Sequence, residues 1–346
     1  MIIFSYHGGD DMKKIYVVTG ASGFVGNNVV RELVRRGENV KAYARSKEKA
    51  EIALKGLDVE IFYGDICDAD ALSKVFEEPG DYYVLHTAGF VSIKGKEKNP
   101  GLVNANIGGT KNVLAVCKKH NVKRLVHVSS VHAVPVKKHN ALMVEPEEFN
   151  PKLVKGNYAK TKTLASGIVM DAVKNDGLDA VMVHPAGITG PNDFSDTHLT
   201  QMVLDYAAKR IPAAVVGGYN FVDVRDVASG IIEAANKGTK GRNYLLSGEF
   251  RTVKEMLAIL HAELNGKNIR MTMPMWVAKI SLPFLWMYFK VKGRKPLYTG
   301  YSLYTLASNS NFSNQRAKDE LGYTARTLEE SLHDTVISLR AQGLLK

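Results

Sequence analysis

The sequence predicts an α/β chain, a doubly wound parallel sheet with a smaller mixed α/β part after it. Three observations carry that expectation. A strand, a glycine turn and a helix follow one another from residue 15 onward, beginning IYVVTGASGFVG. Short apolar runs then alternate with amphipathic stretches as far as Pro191, the pattern of repeated βαβ units. Beyond Pro191 the alternation becomes irregular, as in a second, smaller unit.

The chain has 346 residues, 45% hydrophobic and 23% charged, enough for one large domain with a smaller one appended. Residues 13–190 are assigned to the dinucleotide-binding domain, with 221–247 returning to it. Residues 191–220 and 248–346 are assigned to substrate binding. The formal net charge is +11. The basic residues are dispersed and no basic block is interleaved with aromatics, which argues against nucleic acid. An anionic cofactor accounts for part of the excess. Cys67 and Cys117 have no metal-type spacing and read as reduced core residues of a cytoplasmic protein, with no metal expected. Residues 1–12 lack the basic start and apolar length of a signal peptide and read as a flexible tail.

In the opening unit, residues 15–18 form a buried strand and 24–36 a helix. Each glycine between them has a reason. Gly20 permits a tight turn off the strand. Gly23 lets backbone N–H groups approach a pyrophosphate, and Gly26 lets the helix pack closely on the strand. Ser22, Phe24 and Val25 complete this cofactor-facing turn. An ordinary αβ loop also uses glycine; the position between strand and helix favours the cofactor.

The second strand, 39–44, ends at Arg45. An acidic residue at that tip accepts from both ribose hydroxyls and selects NAD; a basic one pairs with a 2′-phosphate. Arg45 therefore favours NADP(H), with NAD(H) as the alternative and a solvated charge run as the plain reading. After the third strand, 59–63, Asp65 is placed to accept from the adenine amine and Ile66 to pack on its ring. Asp65 or Asp68 also fits as cap of the helix over 69–76. The fourth strand, 82–86, leads into Thr87, Ala88 and Gly89, small enough for backbone to lie under a cofactor. A long helix is expected over 102–120, and its Gly108-Gly109 pair predicts close packing on a neighbour.

The fifth strand, 124–128, ends in Ser129-Ser130. The irregular segment 131–156 is long enough to be functional. Tyr158 and Lys162 then open a helix through 174 and share one face. A sixth strand, 180–184, exits through Pro185 and Ile188, both placed at the cofactor. A helix over 197–209 and a short strand over 213–216 follow, then a helix through 236 capped by Asp226. A strand at 243–246 precedes a helix over 252–264 capped by Thr252 with Glu255. The most apolar stretch, 273–291, is interrupted by Pro274, Lys279, Pro283 and Lys290. A bilayer span is disfavoured. The favoured reading is a substrate-domain helix with its apolar face on the core. Trp276, Trp286 and Tyr288 leave a membrane-surface helix as the alternative.

Tyrosine is a weak acid, with an ordinary pKa of about 10. Beside an ammonium group its phenolate is favoured, so Lys162 is expected to lower the Tyr158 pKa. Tyr158 can then exchange a proton with a substrate oxygen, with Ser130 orienting that oxygen and a nicotinamide exchanging the hydride. Lys162 is also expected to reach the cofactor ribose. Tyr-x-x-x-Lys alone is weak; the serine pair and the glycine turn strengthen it. His132, Asn192 and Phe194 are the candidate substrate contacts, and a satisfied loop histidine is the plainer reading of His132.

In order along the chain, TGASGFVG, HTAG, Ser129-Ser130, YAKTK, HPAGITGP and FVDVRD resemble an extended short-chain dehydrogenase/reductase. They are similar in style to its dihydroflavonol-4-reductase-like and 3β-hydroxysteroid-dehydrogenase-like branches. The resemblance covers nearly everything from Lys13 onward. It implies a seven-stranded parallel Rossmann sheet, a smaller C-terminal substrate domain and a cleft between them. It implies that Ser130, Tyr158 and Lys162 hold the family's catalytic positions, and Asn106 that of its supporting asparagine. It also implies a homodimer through the helices after strands four and five. Sugar-nucleotide epimerases of the family often carry an arginine just before the segment that reads Phe221-Val222-Asp223-Val224 here. This chain has Gly217-Gly218-Tyr219-Asn220 there, His184 for the usual arginine before Pro185, and Gly187 and Thr189 for an asparagine and a tyrosine. These losses favour a less polar carbonyl substrate. The expected activity is an NADP(H)-dependent carbonyl/alcohol oxidoreductase. Alternatives are a sugar-nucleotide epimerase or dehydratase with resident NAD, and a non-catalytic NADP(H) sensor.

Overall fold

The computed structural model of the chain describes residues 12–91, 100–291 and 298–346, and omits the side chains of 286 and 288–291. The expected tail, apart from Met12, lies outside the described residues, as do the side chains of Trp286 and Tyr288.

The first half alternates strands and helices until its last two strands. It runs β1 (Lys14–Thr19), α1 (Phe24–Arg35), β2 (Asn39–Ala44), α2 (Lys47–Ala53), β3 (Glu60–Tyr63), α3 (Ala69–Ser73) and β4 (Asp81–His86). Then come α4 (Pro100–Val103), a π turn (Asn104–Gly108), α5 (Gly109–Lys119), β5 (Arg124–Val128), α6 (Asn157–Asp176), β6 (Ala180–Pro185) and β7 (Gly187–Thr189). The second half runs α7 (His198–Ala207), β8 (Ala214–Val215), β9 (Gly218–Asp223), α8 (Val224–Lys237), β10 (Asn243–Leu246), β11 (Glu249–Thr252) and α9 (Val253–Leu264). It ends with β12 (Thr272–Met273), α10 (Met275–Val291), α11 (Gly300–Ala307), α12 (Gln315–Leu321) and α13 (Leu328–Ala341).

Seven strands form one sheet in the order β10-β6-β5-β4-β1-β2-β3, and every neighbouring pair is parallel. Parallel strands are covered on both faces, so they read as unbroken apolar runs. In β1 the pleat sends Tyr16 and Val18 into one cluster, with α1 and α8. It sends Ile15 and Val17 into the opposite cluster, with α5 and α6. A third cluster gathers residues from α7, α9, α11 and α13 around Phe221. The chain order reverses between β1 and β4, which opens the crevice where such sheets bind ligands.

Several local expectations change. The helix expected over 102–120 starts at Pro100 and widens through the π turn. Gly109 packs where a Cβ would lie 2.4 Å from Ile66, whereas Gly108 faces open space. The cap of α8 is Asp223, which accepts from the Arg225 N–H; Asp226 instead accepts from the Arg326 backbone and guanidinium. Asp223 wins because it is the last residue in extended backbone before the helix. Asp68, not Asp65, caps α3. Cys117 is buried but Cys67 is exposed, since it follows the strand tip rather than lying in it. The α9 capping box of Thr252 and Glu255 forms as expected. The strand β11 was not anticipated; it pairs antiparallel with β9. Among the described residues no helix is long and apolar enough to cross a membrane.

Candidate active site

The glycine turn and the end of β4 meet at the crevice. A Cβ on Gly20, which has φ +72°, would lie 2.7 Å from the Ala88 backbone. A Cβ on Gly26 would lie 2.2 Å from the Gly20 carbonyl and 2.8 Å from Thr87 Oγ1. Thr87 Oγ1 donates to the Thr19 carbonyl at 2.7 Å, which closes the seam between β1 and β4. The N-cap of α1 is Gly23, with no side-chain cap and no acidic residue in the first turn. The positive end of the helix is thus left uncapped beside the turn, the arrangement that binds a pyrophosphate.

At the strand tips, Arg45 and Asp65 face one another, with Arg45 Nη1 3.7 Å from Asp65 Oδ2. Asp65 also accepts from the Cys67 N–H at 2.9 Å. That bond and the nearby Arg45 charge hold its carboxyl below the usual range despite burial. Arg45 remains 73% exposed, free to turn toward an anion. Ile66 is buried against Gly109, so only part of it is offered to a ring.

Ser130, Tyr158 and Lys162 are all buried. Ser130 sits just past β5 and its Oγ accepts from the His132 N–H at 3.2 Å. Burial pushes the Tyr158 phenol up to about 12, and a hydrogen bond with Ser130 works the other way. Lys162 Nζ donates to the Val128 carbonyl at 2.9 Å, and burial pushes its ammonium down to about 8. This corrects the expected lowering of Tyr158 by Lys162. Desolvation of the phenolate is the largest cause, and the ammonium is engaged by a backbone oxygen. Gly89 lies between Asn106 and Lys162; a Cβ there would be 3.2 Å from both Asn106 Oδ1 and Lys162 Nζ.

Asn106 lies in the π turn. Its Oδ1 accepts from the Phe90 N–H at 2.7 Å, and its Nδ2 donates to Thr161 Oγ1 at 3.1 Å. Thr161 in turn donates to the Tyr158 carbonyl at 2.8 Å. Asn106 therefore holds the loop after β4 against the helix that carries Tyr158 and Lys162. Thr161 was missed from sequence, although it lies within the YAKTK run.

His132 meets the Tyr158 ring edge-on, with centroids 5.8 Å apart. Burial pushes its pKa down to about 4, so the ring is neutral near pH 7. Tyr301 from α11 reaches it, with the hydroxyl 3.4 Å from His132 Nδ1. Sequence reasoning missed Tyr301 entirely, because nothing local marks it. Asn192 is not free for substrate. Its Nδ2 donates to Asn28 Oδ1 at 3.1 Å and its backbone N–H to Ser338 Oγ at 2.9 Å, fastening the loop after β7 to α1 and α13. Phe194 is partly buried in that loop. Pro185 ends β6 in the core sheet, and Ile188 pairs with Val222 of β9.

The departures from a sugar-nucleotide site have structural reasons. A Cβ on Gly217 would lie 2.3 Å from the Leu306 carbonyl, and one on Gly218 2.3 Å from the Arg251 carbonyl. No arginine fits at either place. His184 is fully buried, stacks on Phe149 and faces the Ser130 carbonyl at 3.3 Å.

Known proteins resemble this chain over most of its length. Residues 16–247 match the model of the NAD dependent epimerase/dehydratase family. The chain is 32% identical over 334 residues to sterol demethylase protein B of Methylococcus capsulatus, covering 95% of this chain and 99% of that one. It is 29% identical over 350 residues to cinnamoyl-CoA reductase 1 of Oryza sativa, covering 96% and 92%. The crystal structure of gox2253 superposes with a TM-score of 0.79 at 27% identity, covering 96% and 99%. The parallel sheet, the turn at its switch point and these matches lead to one conclusion: the chain belongs to the NAD dependent epimerase/dehydratase family, within the extended short-chain dehydrogenases/reductases, and is an enzyme of the oxidoreductase type.

Proposed function

We propose that this enzyme interconverts a partly apolar ketone or aldehyde and its alcohol, with NADP(H) as the hydride carrier. The observation that carries the reading is the burial of Ser130, Tyr158 and Lys162 together beside a glycine turn with an uncapped helix end. The residues fit a dinucleotide: the turn leaves no room for a Cβ at Gly20 or Gly26, and Arg45 is an exposed cation at the ribose end. When bound, the nicotinamide supplies or accepts the hydride, which no side chain can do.

The protein residues handle the oxygen. In reduction, the Ser130 hydroxyl donates to the carbonyl oxygen and fixes its position. The Tyr158 O–H then gives its proton to that oxygen as the carbon gains the hydride, leaving a phenolate. The charge on Lys162 favours that phenolate, and solvent returns the proton. Oxidation reverses each transfer. Asn106 acts through the backbone, by holding the loop after β4.

A less polar substrate is supported by the sealed glycines at 217 and 218 and the buried, neutral His184. Two relatives are named for sterol demethylation and for cinnamoyl-CoA reduction; a sterol and a cinnamoyl group are both largely apolar. We assign 191–220 and 248–346 to substrate recognition on the same grounds.

The test is a paired titration with NADPH and NADH, followed by cofactor oxidation over a panel of aromatic and alicyclic carbonyls. Tighter NADPH binding and turnover that is lost in Tyr158→Phe are expected. Full rate in Tyr158→Phe would overturn the assigned role. Purified protein holding stoichiometric, non-exchanging NAD would favour the epimerase reading instead.

A further inference from the structure

Helix α10 shows an inverted amphipathicity. Trp276, Ile280, Phe284 and Met287 are 66%, 62%, 67% and 60% exposed. Their spacings of four, four and three residues place them within one narrow stripe of a helix turning about 100° per residue. The opposite side is the anchored one. Ala278 is fully buried, Leu282 packs on the third core cluster, and Ser281 Oγ lies 3.0 Å from the Tyr298 hydroxyl. This departs from the expectation that the apolar face of 273–291 lies on the core. Four large apolar side chains stand in a row in solvent, well beyond the scattered exposure ordinary for a surface.

The charge around the stripe is one-sided. Between Glu263 and Asp319 the sequence has no acidic residue and nine lysines or arginines. Lys279 is exposed, and both Lys279 and Lys290 fall at helical positions flanking one edge of the stripe. Lys292, Arg294 and Lys295 follow in the sequence. A row of apolar side chains with a tryptophan, on a stretch of chain whose only charged residues are cations, is complementary to an anionic lipid surface.

We propose that α10 docks this protein on an anionic bilayer, lying in the interface with Trp276, Ile280, Phe284 and Met287 turned into the lipid. The helix is 17 residues long and contains Pro283, so it lies on the membrane and does not span it. It also packs on the helix that reaches the site. Leu282 approaches Gly300 at the start of α11, and α11 carries Tyr301 to His132 beside Tyr158. Docking would therefore present the catalytic tyrosine to an amphiphilic carbonyl partitioned in lipid. That last step rests on the reductase reading; the docking itself does not.

The test is co-sedimentation of the full chain with vesicles of phosphatidylcholine plus phosphatidylglycerol, and with vesicles of phosphatidylcholine alone. Binding to the mixed vesicles that weakens in high salt is expected. The pair Trp276→Glu and Phe284→Glu should weaken it roughly tenfold or more. The pair Lys279→Glu and Lys290→Glu should do so with the apolar stripe intact, and serves if the first pair folds poorly. NADPH binding, measured on the same proteins, should not change. Failure of the unaltered protein to bind anionic vesicles overturns the proposal, as does binding that both pairs leave intact. A dimer that Trp276→Glu with Phe284→Glu converts to monomer, without vesicle binding by the unaltered protein, assigns the stripe to a second copy and also overturns it. Loss of turnover with vesicle binding intact would count against the reductase reading alone.

Discussion

The hydroxyl of Tyr301 lies 3.4 Å from Nδ1 of His132, whose ring meets Tyr158 edge-on at 5.8 Å. Two residues 169 positions apart in sequence thus join the C-terminal helices to Tyr158, the proposed proton-transfer residue. Gly156 permits the approach, since a Cβ there would lie 2.3 Å from the Tyr301 ring. Removing the hydroxyl in Tyr301→Phe should cost about 1 kcal/mol, or about fivefold in kcat/KM. The loss should fall mainly on KM, because the chemistry stays with Tyr158. Steady-state kinetics on one good carbonyl substrate will tell; a loss confined to kcat would place Tyr301 in the proton transfer itself.

Lys162 gives a pH signature. Burial pushes its ammonium down to about 8, so its charge is present below that pH and lost as pH rises through it. Support for the developing Tyr158 phenolate goes with the charge. The kcat/KM for carbonyl reduction should therefore fall as pH rises through about 8, with the free-enzyme group setting the limb. In Lys162→Arg the cation does not titrate in this range, and the limb should vanish at a lower plateau rate. A limb unchanged by Lys162→Arg would assign it to another group.

The Arg45–Asp65 pair sets the cofactor prediction. Arg45→Asp removes the cation and puts a second carboxylate beside Asp65. Loss of a charge-assisted bond to a 2′-phosphate should cost roughly 2–3 kcal/mol, about 30- to 150-fold in NADPH affinity. NADH affinity should hold or improve. Fluorescence titration of both cofactors measures this, and an unaltered NADPH preference would remove Arg45 from the 2′-phosphate.

Gly26 is the least replaceable residue of the turn. In Gly26→Ala the added carbon falls 2.2 Å from a backbone oxygen that cannot swing away. A loss of about 1–3 kcal/mol in stability is expected, with cofactor binding impaired as the turn opens. Thermal unfolding and NADPH titration report the two effects separately, and wild-type values in both would mean that the turn yields freely.

Three buried histidines predict acid sensitivity. His86, His127 and His184 occupy neighbouring strands, and the first two rings are 5.4 Å apart. Burial pushes His86 down to about 3 and His184 to about 4, and depresses His127 as well. Neither ring nitrogen of His127 has a hydrogen-bond partner among the described residues. The unfolded chain takes up these protons below about pH 6.5, and the folded chain does so only near pH 4. Stability present above pH 6.5 is thus lost as pH falls toward 4. Unfolding in denaturant should show a midpoint lower at pH 5 than at pH 7.5. His127→Leu should shrink that difference, and equal midpoints at both pH values in the unaltered protein would mean these rings protonate in place.

Much of this was legible in the sequence, for identifiable reasons. The ends of α9 were marked by Thr252 and Glu255, which cap through bonds spanning three residues. The strand runs were marked because burial on both faces demands continuous apolar residues. The cap of α8 was misplaced by three residues, since Asp223 and Asp226 are both plausible caps and only backbone direction separates them. The π turn was not legible, because the poor helix formers Asn104, Asn106 and Gly108 mark a weak helix without saying that it widens.

The sequence by itself determined the parallel sheet and the glycine turn at its switch point, and it marked Ser130, Tyr158 and Lys162 as the candidate set. Each is encoded by spacing within one element or across one turn, where geometry follows from local backbone rules. Only the tertiary structure decided the pKa order at that set, because desolvation depends on everything that surrounds a group. Only it brought Tyr301 to His132, tied Asn192 to α1, and turned the apolar side of α10 outward. Those depend on which faces of distant elements meet, and a helical stripe in sequence carries no mark of whether its partner is protein, lipid or water.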